Sequence, residues 1–505
     1  MGDDQTDVIR FLMHPGTHDG IEPEHVETHG AHVFLAGGTA LKIKRATKYE
    51  YMDLSTLDLR EKMLQRELEL NQPVAPSIYC DVVSITREHS GLAINGSGPV
   101  VEWVLRMHRF PKENELLEVA ARGDLDANMA EELGRAVAVF HAAAPTRLED
   151  GAKLIGAILD ELDLAFGQMH GELGKEEITH FHDLSRAELE KTGPLLTQRG
   201  SDGHVRRCHG DLHLRNFVLI DGKPVPFDAL EFDEVLGTCD VLYDLAFLLM
   251  DLKYRGHNLA ANQTLSTWLF VQDGKEDAGV AALPLFIAVR AAIRAMVDVQ
   301  TDRATDHPGQ SGEDACAYLD EAIVALSPPA PRIVAVGGLS GSGKTILSRK
   351  LAATIGAQSG AIHLRTDLER KRLAGVDPLA HLSNDAYSGS KTQTVYDVLL
   401  RRAGTLLGAG HSVLLDATWL SPDLRAAVEE LGRQAGVPFT GLWLDAPSEV
   451  LLARIADRMG DASDADASVV GRQIARDIGQ VTWERIDATG TPDDTQSRAT
   501  AVLKG

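Results

Sequence analysis

Four short runs between residues 31 and 105 carry the apolar-rich pattern of strands: HVFLA (32–36), ALKIK (40–44), IYCDVVSIT (78–86) and PVVEWVL (99–105). They surround one helical stretch, from Ser55 to Asn71. From 124 to 200 the period becomes helical. Met129, Leu133, Val137 and Phe140 form one apolar stripe, Asp126 stands where an N-cap belongs, and Pro145 ends the run. After a Gly/Asp loop at 201–203, strand signals continue to 228 and helical ones to 326. The segment SPPAPR, Ser327 to Arg332, has three prolines in six residues, which disfavours helix and favours an extended linker. Beyond it, IVAVGGLSGSGKTILSRKLAATIG reads as a buried strand, a glycine turn and a helix from about Lys344. The pattern predicts a β-rich lobe followed by a helical lobe over 1–326, a linker at 327–332, and a separate α/β domain over 333–505.

Composition narrows the class. With 505 residues, 44% hydrophobic, the chain has material for about two to four domains with cores of their own, and wholesale disorder is excluded. No uncharged apolar run reaches the ~18 residues of a membrane span. The nearest, Val241 to Leu252, is interrupted by Asp244 and Asp251. The N-terminus is acidic and does not read as a secretory signal. Gly2 and Thr6 fit a myristoylation pattern, but Asp3 and Asp4 follow and no polybasic partner is present. Cys80, Cys208, Cys239 and Cys316 lie far apart with no CxxC spacing, as reduced thiols of a cytoplasmic protein would. A net charge of −24 argues against nucleic-acid binding by bulk electrostatics.

The densest chemistry in the first part is CHGDLHLRNFVLIDGKPVPFDALEFDE. Two short apolar strands, FVLI and VPF, are joined by the turn Asp221-Gly222, so a hairpin brings Asn216 and Asp228 together. Two oxygen ligands of this kind suit Mg²⁺, with nucleotide phosphates and water completing its shell. Asp211, five residues before Asn216, is a candidate to accept or orient the proton of a substrate hydroxyl. His209 and His213, four apart, lack the helical pattern and the third ligand of a metal site. Cys208 and His209, as strand neighbours, point oppositely and are no nucleophile pair. Asp240 and Asp244 read as structural carboxylates of their helix. Glu231 and Asp233 read equally well as contacts to a cationic substrate or as solvated groups.

HGDLHLRN followed by an Asp-bearing second strand resembles the aminoglycoside phosphotransferase and choline kinase group, relatives of protein kinases. The resemblance spans about residues 20–320 and includes the helix ending FHAAAP and the helix DVLYDLAFLLMDL. It implies that Asp211 is the catalytic aspartate and that Asn216 and Asp228 are metal ligands. It also implies an ATP-holding lysine on the third strand. Lys42 and Lys44 share one face there, and the reading favours Lys44 without excluding Lys42. Spacing in QRELELN points to Glu67 as the ion-pair partner. AGGTAL supplies only Gly37 and Gly38, which departs from a protein-kinase glycine loop and fits small-molecule kinases better.

The second part contains GxxxxGK[ST] in full: Gly338, Leu339, Ser340, Gly341, Ser342, Gly343, Lys344 and Thr345. In this P-loop motif the backbone N–H groups face phosphate oxygens, the lysine reaches the β/γ-phosphates and the threonine hydroxyl binds Mg²⁺. Asp367 and Asp416 end apolar strand-like runs, where ligands of open α/β sheets bind. Residues 333–500 resemble small kinases near gluconate kinase, polynucleotide kinase and the zeta-toxin group. That resemblance implies Asp367 as general base, Arg370 as substrate-holding, Arg454 and Arg458 as lid residues on ATP, and Asp416 as a Walker-B-like metal contact. An acidic loop after Arg458 has a lid's composition.

Together the halves resemble a bacterial fusion of an aminoglycoside-phosphotransferase-like domain with a P-loop kinase-like domain. The expected function is a two-site, Mg·ATP-dependent phosphotransferase acting on small-molecule hydroxyls. The competing expectations are an ATP-binding regulatory protein with one or both sites non-catalytic, and a nucleotide or polynucleotide kinase in the second half.

Overall fold

A computed structural model describes residues 4–49, 52–304, 312–456 and 463–504. The chain forms two compact units, one of Met1–Leu154 with Thr197–Asp251, the other of Ile155–Leu196 with Leu252–Gly505.

The first unit is built on a six-stranded antiparallel sheet. Its strands run, edge to edge, Glu24–Glu27, Ala31–Ala36, Thr39–Lys44, Val100–His108, Tyr79–Glu88 and Gly91–Ile94. The four runs visible in the sequence are its four central strands, and the two short edge strands carried too weak an alternation to stand out. Gly37, at φ +55°, lets the chain reverse between Ala36 and Thr39. On the third strand Leu41 and Ile43 join Phe34, Ile85 and Val104 on the face covered by helix Thr6–Leu12. The alternate residues, Lys42 and Lys44, therefore lie on the opposite face with helix Leu57–Asn71. Asp126 Oδ1 accepts from the Met129 N–H at 2.8 Å, capping helix Ala127–Ala143 as its spacing predicted. The hairpin Phe217–Ile220 / Lys223–Pro226 turns at Asp221 and Gly222, both at positive φ, as the Asp-Gly signal requires.

The second unit holds a five-stranded parallel sheet ordered Ile362–Arg365, Val413–Asp416, Ile333–Gly338, Phe439–Asp445, Glu484–Asp487. The first strand in sequence is the central one, and its buried run Ile333–Gly338 pairs on both sides. Both halves thus have the fold class their patterns predict: an antiparallel sheet with helices, then a parallel α/β sheet.

The compact units do not divide at the proline-rich segment 327–332. Helices Asn258–Val271, Leu283–Ala304 and Gly312–Ala325 group with the parallel sheet because specific buried bonds hold them there. Asn262 Nδ2 donates to the carbonyls of Ser359 and Ala361 at 2.8 and 2.9 Å. Arg402 Nε and Nη2 donate to both oxygens of Asp277 at 2.8 and 2.9 Å. His411 Nε2 meets the Val280 carbonyl at 3.0 Å. Gly279–Ala304 is long and apolar enough to span a membrane by composition, a stretch the charge-free criterion passed over because Arg290 and Arg294 interrupt it. In this fold 67% of its apolar window is buried.

Candidate active sites

In the first unit the third strand, helix Leu57–Asn71 and the segment after the hairpin converge on one cluster of charge. Lys42 Nζ donates to Glu67 Oε1 at 2.7 Å and to Asp228 Oδ1 at 3.0 Å. Lys44 Nζ lies 2.7 Å from Glu67 Oε2 and donates to Glu231 Oε1 at 2.5 Å. Both lysines therefore share Glu67. The one that reaches Asp228 is Lys42, the second choice of the sequence reading. Alternation placed both on one face, and only the three-dimensional position of Asp228 separates them. Glu231 is thereby an ion-pair partner of Lys44. Asp233 caps helix Glu234–Gly237 through the N–H groups of Val235 and Leu236.

The charges set each other's protonation. Burial alone would pull the Lys42 ammonium down, but Asp228 and Glu67 outweigh it and hold it well above the ordinary lysine value. The Lys42 charge in turn holds the Asp228 carboxyl below its ordinary value. Asp228 sits at φ +62°, a left-handed conformation that costs a non-glycine residue energy and needs support. The support comes from both sides: the Asp228 N–H donates to Tyr79 Oη at 3.0 Å and the Ala229 N–H to Asn71 Oδ1 at 2.8 Å.

Asn216 Nδ2 donates to the backbone oxygen and to Oδ2 of Asp211, at 2.8 and 3.1 Å. With its nitrogen end so engaged, its oxygen end is the one suited to a cation. Together with the Asp228 carboxylate this is a hard-oxygen donor set, which fits Mg²⁺. The Asp211 carboxylate is 42% exposed, so a substrate hydroxyl has access to it.

Two carboxylates of helix Val241–Tyr254 hold the loop that carries Asp211. Asp244, fully buried, accepts from the N–H groups of His209 and Gly210 at 3.2 and 2.8 Å and lies 3.1 Å from His141 Nε2. Asp251 accepts the Leu214 N–H at 3.0 Å. Seven residues apart, the two lie on one helix face, gripping the loop at both ends. Asp240 pairs bidentately with Arg199, both bonds at 2.7 Å. The structural reading of Asp240 and Asp244 agrees with these contacts, although Asp244 braces the loop rather than its own helix. Asp251 was visible only as an interruption of an apolar run, and a carboxylate two turns from another in a buried helix was the available signal. His209 donates from Nε2 to the Phe227 carbonyl at 2.9 Å and accepts the Asp211 N–H at Nδ1. Burial keeps its pKa below the ordinary histidine value, consistent with a neutral ring. Burial also raises the Cys208 thiol well above its usual range, which suits a structural thiol.

In the second unit the loop 338–345 joins the central strand to helix Lys344–Ala352. Gly341, at φ +86°, leaves no room for a Cβ, which would lie 2.6 Å from the Leu451 carbonyl. Gly343, at φ +91°, is the N-cap whose left-handed turn presents the helix N-terminus. Lys344 Nζ donates to the Leu339 carbonyl at 2.9 Å. Asp416 ends the neighbouring strand in register with Val336, and its Oδ2 accepts from Thr345 Oγ1 at 2.7 Å. Burial alone would raise the Asp416 carboxyl, but the His363 hydrogen bond, His363 charge and nearby Arg365 and Lys344 bring it to about 2. The Thr345 hydroxyl and Asp416 carboxylate are again hard oxygens that fit Mg²⁺, directly or through water.

Asp367 lies in the first turn of helix Thr366–Leu373, at the C-terminal end of strand Ile362–Arg365. Arg370 of the same helix is buried, donates to the Ala386 carbonyl at 2.8 Å, and stacks its guanidinium 4.6 Å from the Tyr387 ring centroid. Arg454 donates to the Gly490 carbonyl at 3.0 Å, tying helix Ser448–Ala456 to the loop after the last strand. Arg458 lies outside the described residues. Sequence reasoning missed Asp464, which accepts from Lys371 Nζ, the Tyr387 hydroxyl and the Leu382 N–H at 3.0, 2.7 and 3.1 Å. It also missed Gln473, bonded to Ser340 of the phosphate loop. Neither has a local signal, since each partner lies far away in sequence.

Residues 333–476 match the family model of an AAA domain. An adenylyl-sulfate kinase of Myxococcus xanthus is 35% identical over 121 residues, 23% of this chain and 59% of that protein. The solved structure of a choline/ethanolamine kinase family protein from Mesorhizobium loti aligns with 64% of this chain and 99% of its own, at 16% identity and a TM-score of 0.37. Uncharacterized protein Rv2004c of Mycobacterium tuberculosis and uncharacterized protein Mb2027c of Mycobacterium bovis are each 30% identical over 478 residues, 92% of this chain and 92% of theirs. The chain therefore belongs to the same family as these mycobacterial proteins, and its residues 333–476 carry the sequence pattern of an AAA domain.

Proposed function

We propose that the protein is a two-site, Mg·ATP-dependent phosphotransferase acting on hydroxyl groups of small molecules. The observation that carries the reading is the chain of contacts from Lys42 to Glu67 and Asp228, at 2.7 and 3.0 Å, beside the Asp211–Asn216 pair. Phosphoryl transfer asks little covalent chemistry of a protein and much positioning and charge. In the first unit Lys42, kept charged by its neighbours, would bind phosphate oxygens, with Glu67 holding it in place. Asn216 and Asp228 would hold Mg²⁺, which when bound neutralises phosphate charge. Asp211 would take the acceptor hydroxyl's proton at a carboxylate oxygen.

In the second unit the backbone of 338–345 and Lys344 would hold the phosphates, and Thr345 and Asp416 the metal. Asp367 would serve as base, and Arg370 would orient an acceptor. The likeness to an adenylyl-sulfate kinase over 121 residues supports kinase chemistry there. The charge of −24 supports small-molecule acceptors over nucleic acid, and a cytoplasmic location belongs to the same proposal.

The test is an ADP-release screen of sugars, amino alcohols, nucleosides and aminoglycosides with products read by mass spectrometry. Wild type is compared with Lys344→Ala and with Asp211→Asn. Each site's acceptor should lose phosphorylation in one variant and keep it in the other. ATP binding without any phosphorylated product across the screen would favour the regulatory reading.

A further inference from the structure

The phosphate loop of the second unit is held by a side chain from a separate helix. Gln473, on helix Ala467–Ala475, places Oε1 2.8 Å from the Ser340 N–H, and its Nε2 donates to Ser340 Oγ at 3.0 Å. A backbone N–H needs an acceptor, so the first contact fixes which end of the amide faces the loop. Asp466 caps the helix through the Val469 N–H at 2.9 Å. Two residues earlier, Asp464 is bound by Lys371, Tyr387 and Leu382, so this segment is anchored on the acceptor side as well as on the loop. Helix Ala467–Ala475 thus bridges the elements carrying Arg370 and the P-loop.

Resting on the ATP reading of this site, we propose that Gln473 is a phosphate surrogate. Its amide oxygen takes an N–H of the phosphate loop in the nucleotide-free protein and must leave when Mg·ATP binds. A neutral amide oxygen satisfies the N–H without a charge. A phosphate oxygen makes the stronger, charge-assisted bond and displaces it. The clamped form is then incompetent for nucleotide, and apparent affinity is reduced by the fraction of molecules unclamped. Displacement frees the helix at one end while Asp464 still holds the other, linking nucleotide arrival to the segment that faces the acceptor side.

The experiment is calorimetric titration of full-length protein with Mg·ATP, following the binding component that Lys344→Ala abolishes. Gln473→Ala is expected to tighten that component roughly fivefold, the scale of one modest net hydrogen bond. Gln473→Glu supplies a charged acceptor to the same N–H and is expected to weaken it below wild type, less so in high salt. Arg472→Ala, whose side chain turns to Ser468 Oγ, should leave it unchanged. Weaker or unchanged affinity in Gln473→Ala overturns the proposal while the ATP reading stands. If Lys344→Ala removes no component in any variant, the ATP reading of the second site falls, and this inference with it.

Discussion

At the first site the groups proposed to meet a nucleotide are side chains bearing full charges. Lys42, Lys44, Glu67, Asp228 and Glu231 pair two cations with three carboxylates in a cluster whose geometry depends on a strand, a helix and a loop. At the second the cradle is backbone, fixed by glycines at positive φ and by the first turn of a helix, and Lys344, Thr345 and Asp416 add side-chain chemistry to it. The first arrangement has to be braced from outside, the Asp228 turn by Tyr79 and Asn71 and the neighbouring Asp211 loop by Asp244 and Asp251. The second is built into eight consecutive residues. A site made of distant side chains is sensitive to its supports, whereas a site made of contiguous backbone is sensitive to its own local conformation.

The largest expected effect tests that bracing. Asp244→Ala leaves two loop N–H groups and His141 without their carboxylate in a fully buried place. The expected loss is about 3 kcal/mol of stability in the first unit, the scale for removing one partner of a buried charged network. Asp251→Ala removes the acceptor of the Leu214 N–H and should cost less. Urea unfolding followed by circular dichroism decides this, and equal, negligible losses would mean the loop stands without the helix.

Next comes Asp211→Asn in a Lys344→Ala background, which silences the second site. The substitution keeps size and most hydrogen bonding but removes the proton acceptor. Turnover of the first site's acceptor should fall about 10²-fold or more at an unchanged melting temperature. An enzyme that melts normally and turns over at the parental rate would remove Asp211 from the mechanism.

Smaller, and sharper, is the contrast between the two lysines. Lys42→Met should raise the KM for Mg·ATP at the first site about tenfold, since Lys42 is the cation beside Asp228. Lys44→Met leaves Glu231 without its partner and should act mainly on stability. If Lys44→Met raises KM more than Lys42→Met does, the assignment by geometry is wrong and the sequence preference right.

That contrast also marks what the sequence could carry. Strand runs, the Asp-Gly turn, the Asp126 cap and the whole P-loop are local patterns, and each appears where its pattern placed it. The grouping of Asp211 and Asn216 with Asp228 was legible because the hairpin between its members is short. Choosing between Lys42 and Lys44 was not, because the deciding partner lies 186 residues away from Lys42. The place of residues 252–326 was illegible for the same reason. A proline-rich segment announces a break in the chain, but the bonds from Asn262, Asp277 and Val280 to the parallel sheet depend on contacts that no local signal encodes.

The smallest predicted effect probes that last attachment by pH. His411 is buried with Nε2 on the Val280 carbonyl, and burial lowers its pKa to about 4. An unfolded histidine titrates near 6.5, so the unfolded state binds the proton first as pH falls. The folded-state advantage is complete above about 6.5 and is lost progressively as pH falls toward 4. Between pH 7 and 5.5 the loss attributable to this one group is about 1 kcal/mol. Urea unfolding of wild type and His411→Gln at both pH values, followed by tryptophan fluorescence, isolates it, because every other histidine is common to the two proteins. The stability gap between them should narrow by about that amount at the lower pH. A gap that does not change with pH would mean that His411 is not held neutral against the Val280 carbonyl, and that the helical segment is attached there by something other than this buried ring.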